Sequence, residues 1–328
     1  MKKICIYGVG AVGGFMGALL ARSGCEVCAV ARGATLEAIK NNGLRLKMDG
    51  ETITQSITAS DNPADLGVQD LVIVAVKAQA LPAVAEGISA LIGPQTTVLT
   101  AMNGVPWWFF DGFGKSCEGL QLKSVDPTGS VASAIPSSQV VGGVVHGSFS
   151  LNEPGFARHG FGKKIIIGKP DGTTANPLPE LAKLLGDAGM EIDITDSIQR
   201  EIWFKLLGNM TMNPVSGITG ATCDKILDDP LVNRFCLNIM AEAAQIGAVF
   251  GCPIEQSGEE RNAVTRKLGA FKTSMLQDVE AGRSVELDAL VTSVQEIGRH
   301  AGIDTTNINT LLGLARLHAQ VRGLYPVG

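Results

Sequence analysis

Lys3 to Tyr7 is a short apolar run that meets Gly8-Val9-Gly10-Ala11-Val12-Gly13, and an apolar stretch from Gly14 to Ala21 follows. A strand, a Gly-x-Gly-x-x-Gly turn and a helix in that order predict a parallel βαβ unit. The glycines let backbone amides at the helix N-terminus approach a pyrophosphate, where the helix dipole favours negative charge. Methyltransferases and flavin enzymes use similar turns, so the motif alone names no reaction. Its position at the start of a complete βαβ unit favours a bound dinucleotide. The second strand, Glu26 to Ala31, refines that expectation. A site for NAD would place Asp or Glu near its end, on the ribose 2′-hydroxyl. Here Ala31 stands there and Arg32 follows. The missing carboxylate removes repulsion, and an arginine can pair with a 2′-phosphate. The expected cofactor is therefore NADP(H), with Arg32 among its contacts.

The pattern continues as an α/β domain. Leu44 to Met48 and Thr52 to Ile57 flank Asp49-Gly50, a hairpin signal. Leu71 to Val76 reads as a buried parallel strand ending in Lys77-Ala78-Gln79, and Thr97 to Ala101 as another, ending in Met102-Asn103-Gly104. Ligands of open α/β sheets bind beyond the carboxyl ends of the strands, so Lys77 and Asn103 stand at the right edge for a cofactor or substrate. Pro106-Trp107-Trp108-Phe109-Phe110 then interrupts, either as a satellite core or as a wall of a binding site. Val140 to Ser150 and Lys164 to Gly168 read as antiparallel strands joined by residues 152–162, followed by a helix over 179–189 and a last strand over 191–195. Beyond Asp196 only helical periods follow, over 198–213, about 230–250, 255–281, 286–301 and 307–320. The shift predicts a Rossmann-like α/β domain over 1–195 and an all-α domain over 196–328.

The first of those helices carries the second chemical signal. Glu201, Lys205, Asn209 and Asn213 recur every four residues, and at about 100° per residue they form one narrow stripe. Around it stand Ile202, Trp203, Phe204, Leu206, Leu207, Met210 and Met212. A helix apolar nearly all round is buried on most sides; the stripe is either an active-site face or, the default for charged residues on a helix, a solvated one. Two asparagines, poor helix formers, gain little on a merely solvated face. Pro214 and Gly217 are expected to end the helix. Further on, Ser274 reads as a helix cap, and Ser284 as the cap of a helix carrying Glu286 and Asp288.

Composition excludes several classes. A net charge of −5 with no basic patch argues against a nucleic-acid partner. No apolar run reaches membrane-span length, and the start runs straight into a strand, without the apolar core and cleavage site of a signal peptide. Seven cysteines without a CxxC pair fit reduced thiols and a cytoplasmic protein. The four scattered histidines suggest no metal site.

Taken in order, the Gly-x-Gly-x-x-Gly turn, Lys77-x-Gln79, Asn103-Gly104, Trp203-x-Lys205-x-x-x-Asn209-x-x-x-Asn213-Pro214, and Ser274-Met275-Leu276-Gln277-Asp278 with Glu286 closely resemble the ketopantoate reductase (2-dehydropantoate 2-reductase) family over the full length. The resemblance implies an NADPH-dependent 2-oxo acid reductase of pantothenate and coenzyme A synthesis. It also implies an N-terminal Rossmann domain and a C-terminal helical domain like that of 6-phosphogluconate dehydrogenase. Lys205 matches the family's catalytic lysine, which protonates the nascent alkoxide as NADPH delivers hydride, and Glu286 the acidic residue that hydrogen-bonds the reacting oxygen. Asn209, Asn213 and Asn103 match substrate-holding residues, and Ser274 the residue near the substrate carboxylate. Gly8, Gly10, Ala11, Val12, Gly13, Arg32, Lys77 and Asn103 match cofactor contacts. The family includes dimers, and the long apolar helices of the second domain suit pairing.

One departure stands out. Family members run from Asn-Gly into a fairly polar helix, whereas Trp107 to Phe110 follow here almost at once. That leaves open a bulkier or more apolar 2-oxo acid. A non-catalytic NADP-binding regulator would explain the fold but not Lys205 and Glu286 together.

Overall fold

The computed structural model describes residues 1–327. By its contacts the chain divides into two compact units, one of residues 1–102 with 128–198, the other of residues 103–127 with Gln199 onward.

The first unit is a ten-stranded sheet with helices. In chain order it holds β1 (Lys3–Tyr7), α1 (Ala11–Arg22), β2 (Glu26–Val30), α2 (Gly33–Asn42), β3 (Leu44–Met48), β4 (Glu51–Gln55), β5 (Thr58–Ser60), β6 (Leu71–Val74), α3 (Leu81–Gly87), β7 (Thr97–Thr100), α4 (Ser130–Ala134), β8 (Val140–Glu153), β9 (Phe156–Gly168), α5 (Leu178–Asp187) and β10 (Glu191–Ile194). Six strands run parallel in the order β5-β2-β1-β6-β7-β8. With the β3–β4 hairpin set aside, this is the strand order of the Rossmann fold. The hairpin instead extends the far side, where β8 pairs antiparallel with β9 and β9 runs parallel to both β3 and β10. The central strands are continuous apolar runs because helices cover them; all of β6, Leu-Val-Ile-Val, is fully buried. Helix α1 lies close on the sheet because its contact residues are small. A Cβ at Gly14 would come within 2.9 Å of Ala157, and one at Gly17 within 3.1 Å of both Ile6 and Leu44.

The β8–β9 hairpin is longer than its sequence suggests. Residues 152–162, expected as a connection, mostly belong to the two strands, which turn at Pro154-Gly155. The ladder shifts register between His146 and Ser148, between Ser148 and Phe149, and between Leu151 and Glu153. Such irregularities interrupt the period-two pattern by which a strand is recognised.

The second unit is helical: α6 (Ile198–Thr219, whose first residue packs with the sheet), α7 (Cys223–Asp228), α8 (Pro230–Phe250), α9 (Gly258–Arg266), α10 (Ser274–Glu280), a π-turn over Asp288–Thr292, α11 (Ser293–Ala301) and α12 (Thr306–Val321). Helix α6 runs through Pro214, which was expected to end it, and stops at Thr219. A proline inside a helix forfeits one backbone bond; here Asn213 to Gly217 are all buried, and packing holds the helix together. The single helix expected over 255–281 is two, α9 and α10. The helix expected from Ser284 begins instead with the π-turn, leaving Glu286 in irregular chain before it. Residues 103–127, which precede the boundary expected near 195, pack with these helices. Their aromatic run supplies core rather than a cavity wall. Trp107, Trp108, Phe109 and Phe110 are 6%, 0%, 0% and 1% exposed. Phe250 is the hub, with its ring 4.8 Å from Trp203, 5.3 Å from Phe110 and 5.7 Å from Phe109, each edge-to-face, the arrangement aromatic quadrupoles favour. Among the described residues no helix is long and apolar enough to cross a membrane.

Candidate active site

In the first unit the glycine turn lies where the strand order reverses, between β1 and β6. Gly8 has φ +97°, and a Cβ there would stand 2.5 Å from Val76 Cγ1. A Cβ on Gly13 would stand 2.1 Å from the Gly8 carbonyl oxygen. These two glycines are thus required by close backbone approach. Gly10 differs: a Cβ there would meet nothing within 4 Å, so the helix N-terminus opens outward. The first turn of α1, with Ala11 and Val12, contains no acidic residue, as an anion at that terminus requires. Arg32 caps α2 in extended conformation at the end of β2, is exposed, and forms no ion pair with any described residue. It acts on Tyr7, the last residue of β1, whose hydroxyl is raised above its usual acidity range by burial and partly drawn back by the guanidinium. Lys77 caps the turn after β6, next to the Val76 that borders Gly8. The loop ends of β1, β2 and β6 therefore bring together the glycine turn, Arg32 and Lys77.

In the second unit the polar stripe of α6 meets Asn103. The Lys205 ammonium donates to Asn103 Oδ1 at 2.8 Å. Asn103 is held by its neighbours. Gly104 has φ +85° and passes so close to Ala289 that a Cβ would stand 2.5 Å from the Ala289 oxygen, and the Val105 amide donates to that same oxygen at 2.8 Å. Burial lowers the Lys205 pKa from 10.5 to about 8, Glu286 pulling it up and Arg261 pushing it further down. Glu286 is fixed from both sides. The Val285 amide donates to the Leu324 carbonyl, and Asp288 accepts from Tyr325 at 2.6 Å and from Thr292 at 3.1 Å. Asp278 accepts from Arg283 at 2.9 Å and ties the segment before Glu286 to α10.

One and two turns beyond Lys205, Asn209 is half-buried, its carboxamide without a hydrogen bond to any described residue, and Asn213 is buried and donates to Ser274 Oγ at 3.4 Å. The cap of α10 is Thr273, which accepts from the Leu276 amide, not Ser274. Ser274 is the first helical residue, exposed, its hydroxyl free of capping duty. Of the residues singled out from the sequence, the second unit thus brings together Lys205, Asn103 and Glu286, with Asn213 and Ser274 as a second pair.

Arg261 was missed. It sits on α9 within Glu259-Glu260-Arg261, which reads as an ordinary solvated face. Its guanidinium instead lies against α6. A Cβ on Gly208 would stand 2.5 Å from Nη2, and the Phe204 ring centroid is 5.6 Å from Cζ. The only sequence sign of this approach is Gly208 itself, a glycine in a helix interior.

Comparison with known proteins follows the same outline. The family model described as "Ketopantoate reductase PanE/ApbA" matches residues 4–108, and its C-terminal counterpart matches residues 197–319. A 2-dehydropantoate 2-reductase of Mesorhizobium japonicum is 41% identical over 98% of this chain and 99% of its own. The chain belongs to the ketopantoate reductase family. Among solved structures, a provisionally assigned ketopantoate reductase from Ralstonia solanacearum MolK2 is 58% identical, with TM-score 0.96 over 99% of each chain. The 2-dehydropantoate 2-reductase of Geobacter metallireducens GS-15 is 27% identical, with TM-score 0.84 over 96% of this chain and 99% of its own. A D-mandelate dehydrogenase solved with NADH and anilino(oxo)acetate shares the fold at 22% identity and TM-score 0.85, over 99% of this chain and 100% of its own. Within the ketopantoate reductase family, the two-part architecture of this chain is the shared one.

Proposed function

We propose that the protein reduces 2-dehydropantoate to pantoate with NADPH, Lys205 supplying the proton, as a cytoplasmic step of pantothenate and coenzyme A synthesis. The observation that carries this reading is the Lys205 ammonium, fixed by Asn103 and shared between the fields of Glu286 and Arg261. The hydride comes from NADPH. As the ketone carbon gains it, the oxygen takes a proton from the Lys205 Nζ, leaving a neutral amine and a 2-hydroxy acid. A cation at this point stabilises the developing oxyanion as well as protonating it. Glu286 keeps Lys205 charged and accepts from the hydroxyl formed on the reacting oxygen. Asn209, Asn213, Ser274 and Asn103 hold the substrate.

The residues present suit the cofactor. Gly8, Gly10, Ala11, Val12 and Gly13 would hold the pyrophosphate at the terminus that Gly10 leaves open. Arg32, exposed and without an ion pair among the described residues, would hold the 2′-phosphate, with Lys77 and Asn103 as further contacts. The first domain thus serves the cofactor, the helical one the substrate and pairing of copies. Leu314, Leu317 and Val321, 55%, 60% and 80% exposed along α12, favour a homodimer. The aromatic run is core, so it gives no reason to enlarge the substrate.

The test is Lys205→Met. kcat should fall by about 10²–10⁴-fold, the usual contribution of a positioned proton donor, with NADPH affinity within about threefold of the parent. Retained turnover would reject Lys205 as the donor. NADPH binding with no turnover of any 2-oxo acid by the parent would indicate a regulator.

A further inference from the structure

Arg261 is a cation that the chain leaves without a counter-charge. The only hydrogen bond of its guanidinium with a described residue is a long one, Nη1 to Thr265 Oγ1 at 3.5 Å. No described carboxylate lies within ion-pair distance, and Nε is buried without an acceptor. Burial alone lowers its pKa. Holding a guanidinium this way is costly, because a desolvated charge needs a partner and a buried N–H needs an acceptor. The position is nonetheless built for it, since Gly208 provides the space and Phe204 a ring face.

Gly208 lies three residues beyond Lys205 on α6, so Arg261 and Lys205 are neighbours, and the charge of Arg261 reaches the ammonium. Around this pair of cations the single anion acting on Lys205 is Glu286. Asn103, Asn209, Asn213 and Ser274 are neutral. A 2-oxo acid carries its carboxylate on the carbon next to the ketone. A ketone oxygen at Lys205 therefore puts the carboxyl carbon two bonds away, within reach of a neighbouring cation.

We propose that Arg261 is the substrate-carboxylate anchor of the site and sets its preference for 2-oxo acids over neutral ketones. The inference rests on the reductase reading above. The guanidinium forks onto the carboxylate, gaining the counter-ion that the chain withholds, and so turns the ketone carbon toward a fixed orientation. Ser274, matched to the family's residue near the carboxylate, shares that group, and Asn209 is left for the remainder of the acid.

The experiment compares the parent with Arg261→Gln and Arg261→Lys on 2-dehydropantoate and on its uncharged methyl ester, and measures oxamate binding to each by calorimetry. A hydrogen-bonded charge pair of this kind corresponds to about 10–100-fold in affinity. In Arg261→Gln, KM for the acid should rise by about that factor with a smaller change in kcat. KM for the ester should stay within about threefold, oxamate should weaken in parallel with the acid, and Arg261→Lys should recover part of the loss. Equal losses on acid and ester, or unchanged acid KM and oxamate affinity, would overturn the assignment while leaving the reductase reading intact. Arg261-dependent oxamate binding by a parent that reduces no 2-oxo acid would support the anchor and refute the reductase. A parent that neither binds oxamate nor turns over would refute both.

Discussion

Gly104→Ala tests how Asn103 is held. The native φ of +85° is left-handed, which costs an alanine about 1–2 kcal/mol. The new Cβ would stand 2.5 Å from the Ala289 oxygen and 2.7 Å from both its carbonyl carbon and its Cβ. Carbon contacts settle near 3.5 Å, so one backbone must move by about 1 Å. Overpacking of that order costs about 1–3 kcal/mol. The move also stretches the Val105 amide bond to Ala289, now 2.8 Å, worth about 1 kcal/mol. Stiffening of the unfolded chain returns about 0.4–1 kcal/mol. The net loss is about 2–5 kcal/mol, a large share of the about 5–15 kcal/mol that stabilises a native protein. Urea unfolding should show a lower midpoint, and under conditions where the variant stays folded kcat should fall, because the displaced residue adjoins the Asn103 that holds Lys205. A midpoint and kcat both unchanged would refute this account of Asn103. Gly208→Ala should behave oppositely on stability. The nearest atoms to its Cβ are Nη2, Cζ and Nε of Arg261, at 2.5, 3.0 and 3.4 Å; the flexible guanidinium is displaced, and alanine in a helix interior gains up to about 1 kcal/mol.

Further outcomes follow from the site and from the core beside it. With Lys205 titrating near 8 and acting as an acid, kcat/KM for reduction should be flat below that pH and fall above it. Oxidation of the hydroxy acid needs the neutral amine and should rise over the same range; absence of either limb between about pH 7 and 9 would count against the role. Glu286→Gln should move the limb to lower pH, since the carboxylate now raises the lysine pKa. Arg32→Ala should weaken NADPH by about tenfold or more and NADH by less than about threefold, measured by fluorescence titration; equal weakening would remove the 2′-phosphate role. Phe250→Ala should cost about 3–5 kcal/mol in urea unfolding, because that ring sits among Trp203, Phe109 and Phe110; a loss below about 1 kcal/mol would contradict the aromatic core.

What could be read from the sequence was what is encoded locally. The β1–glycine turn–α1 unit shows three glycines at fixed spacing, two of them required by close backbone approach, and each side of it is a plain apolar run. The stripe on α6 is a spacing of four on an otherwise apolar helix, equally local. The misreadings have a common origin in tertiary contacts that override local signals. Pro214 is a helix breaker by chemistry, yet packing carries α6 past it. Gly147, Gly160 and Gly162 blur the alternation of the β8–β9 hairpin, whose strands are defined by pairing. Glu286 lies ahead of a π-turn fixed by Tyr325, thirty-nine residues further on (325 − 286). Trp107 to Phe110 became core because Phe250 and Trp203 arrive from distant helices. Arg261 was invisible for the same reason, since a charged residue in a charged turn looks solvated until Gly208 is seen beneath it.

The most direct test of the central claim is steady-state oxidation of NADPH by the purified protein with 2-dehydropantoate, with the product identified by mass spectrometry. The account predicts saturable turnover to pantoate, slower with NADH than with NADPH, and lowered by about 10²–10⁴-fold in Lys205→Met. Absence of turnover with 2-dehydropantoate, or turnover undiminished by loss of the Lys205 ammonium, would contradict it.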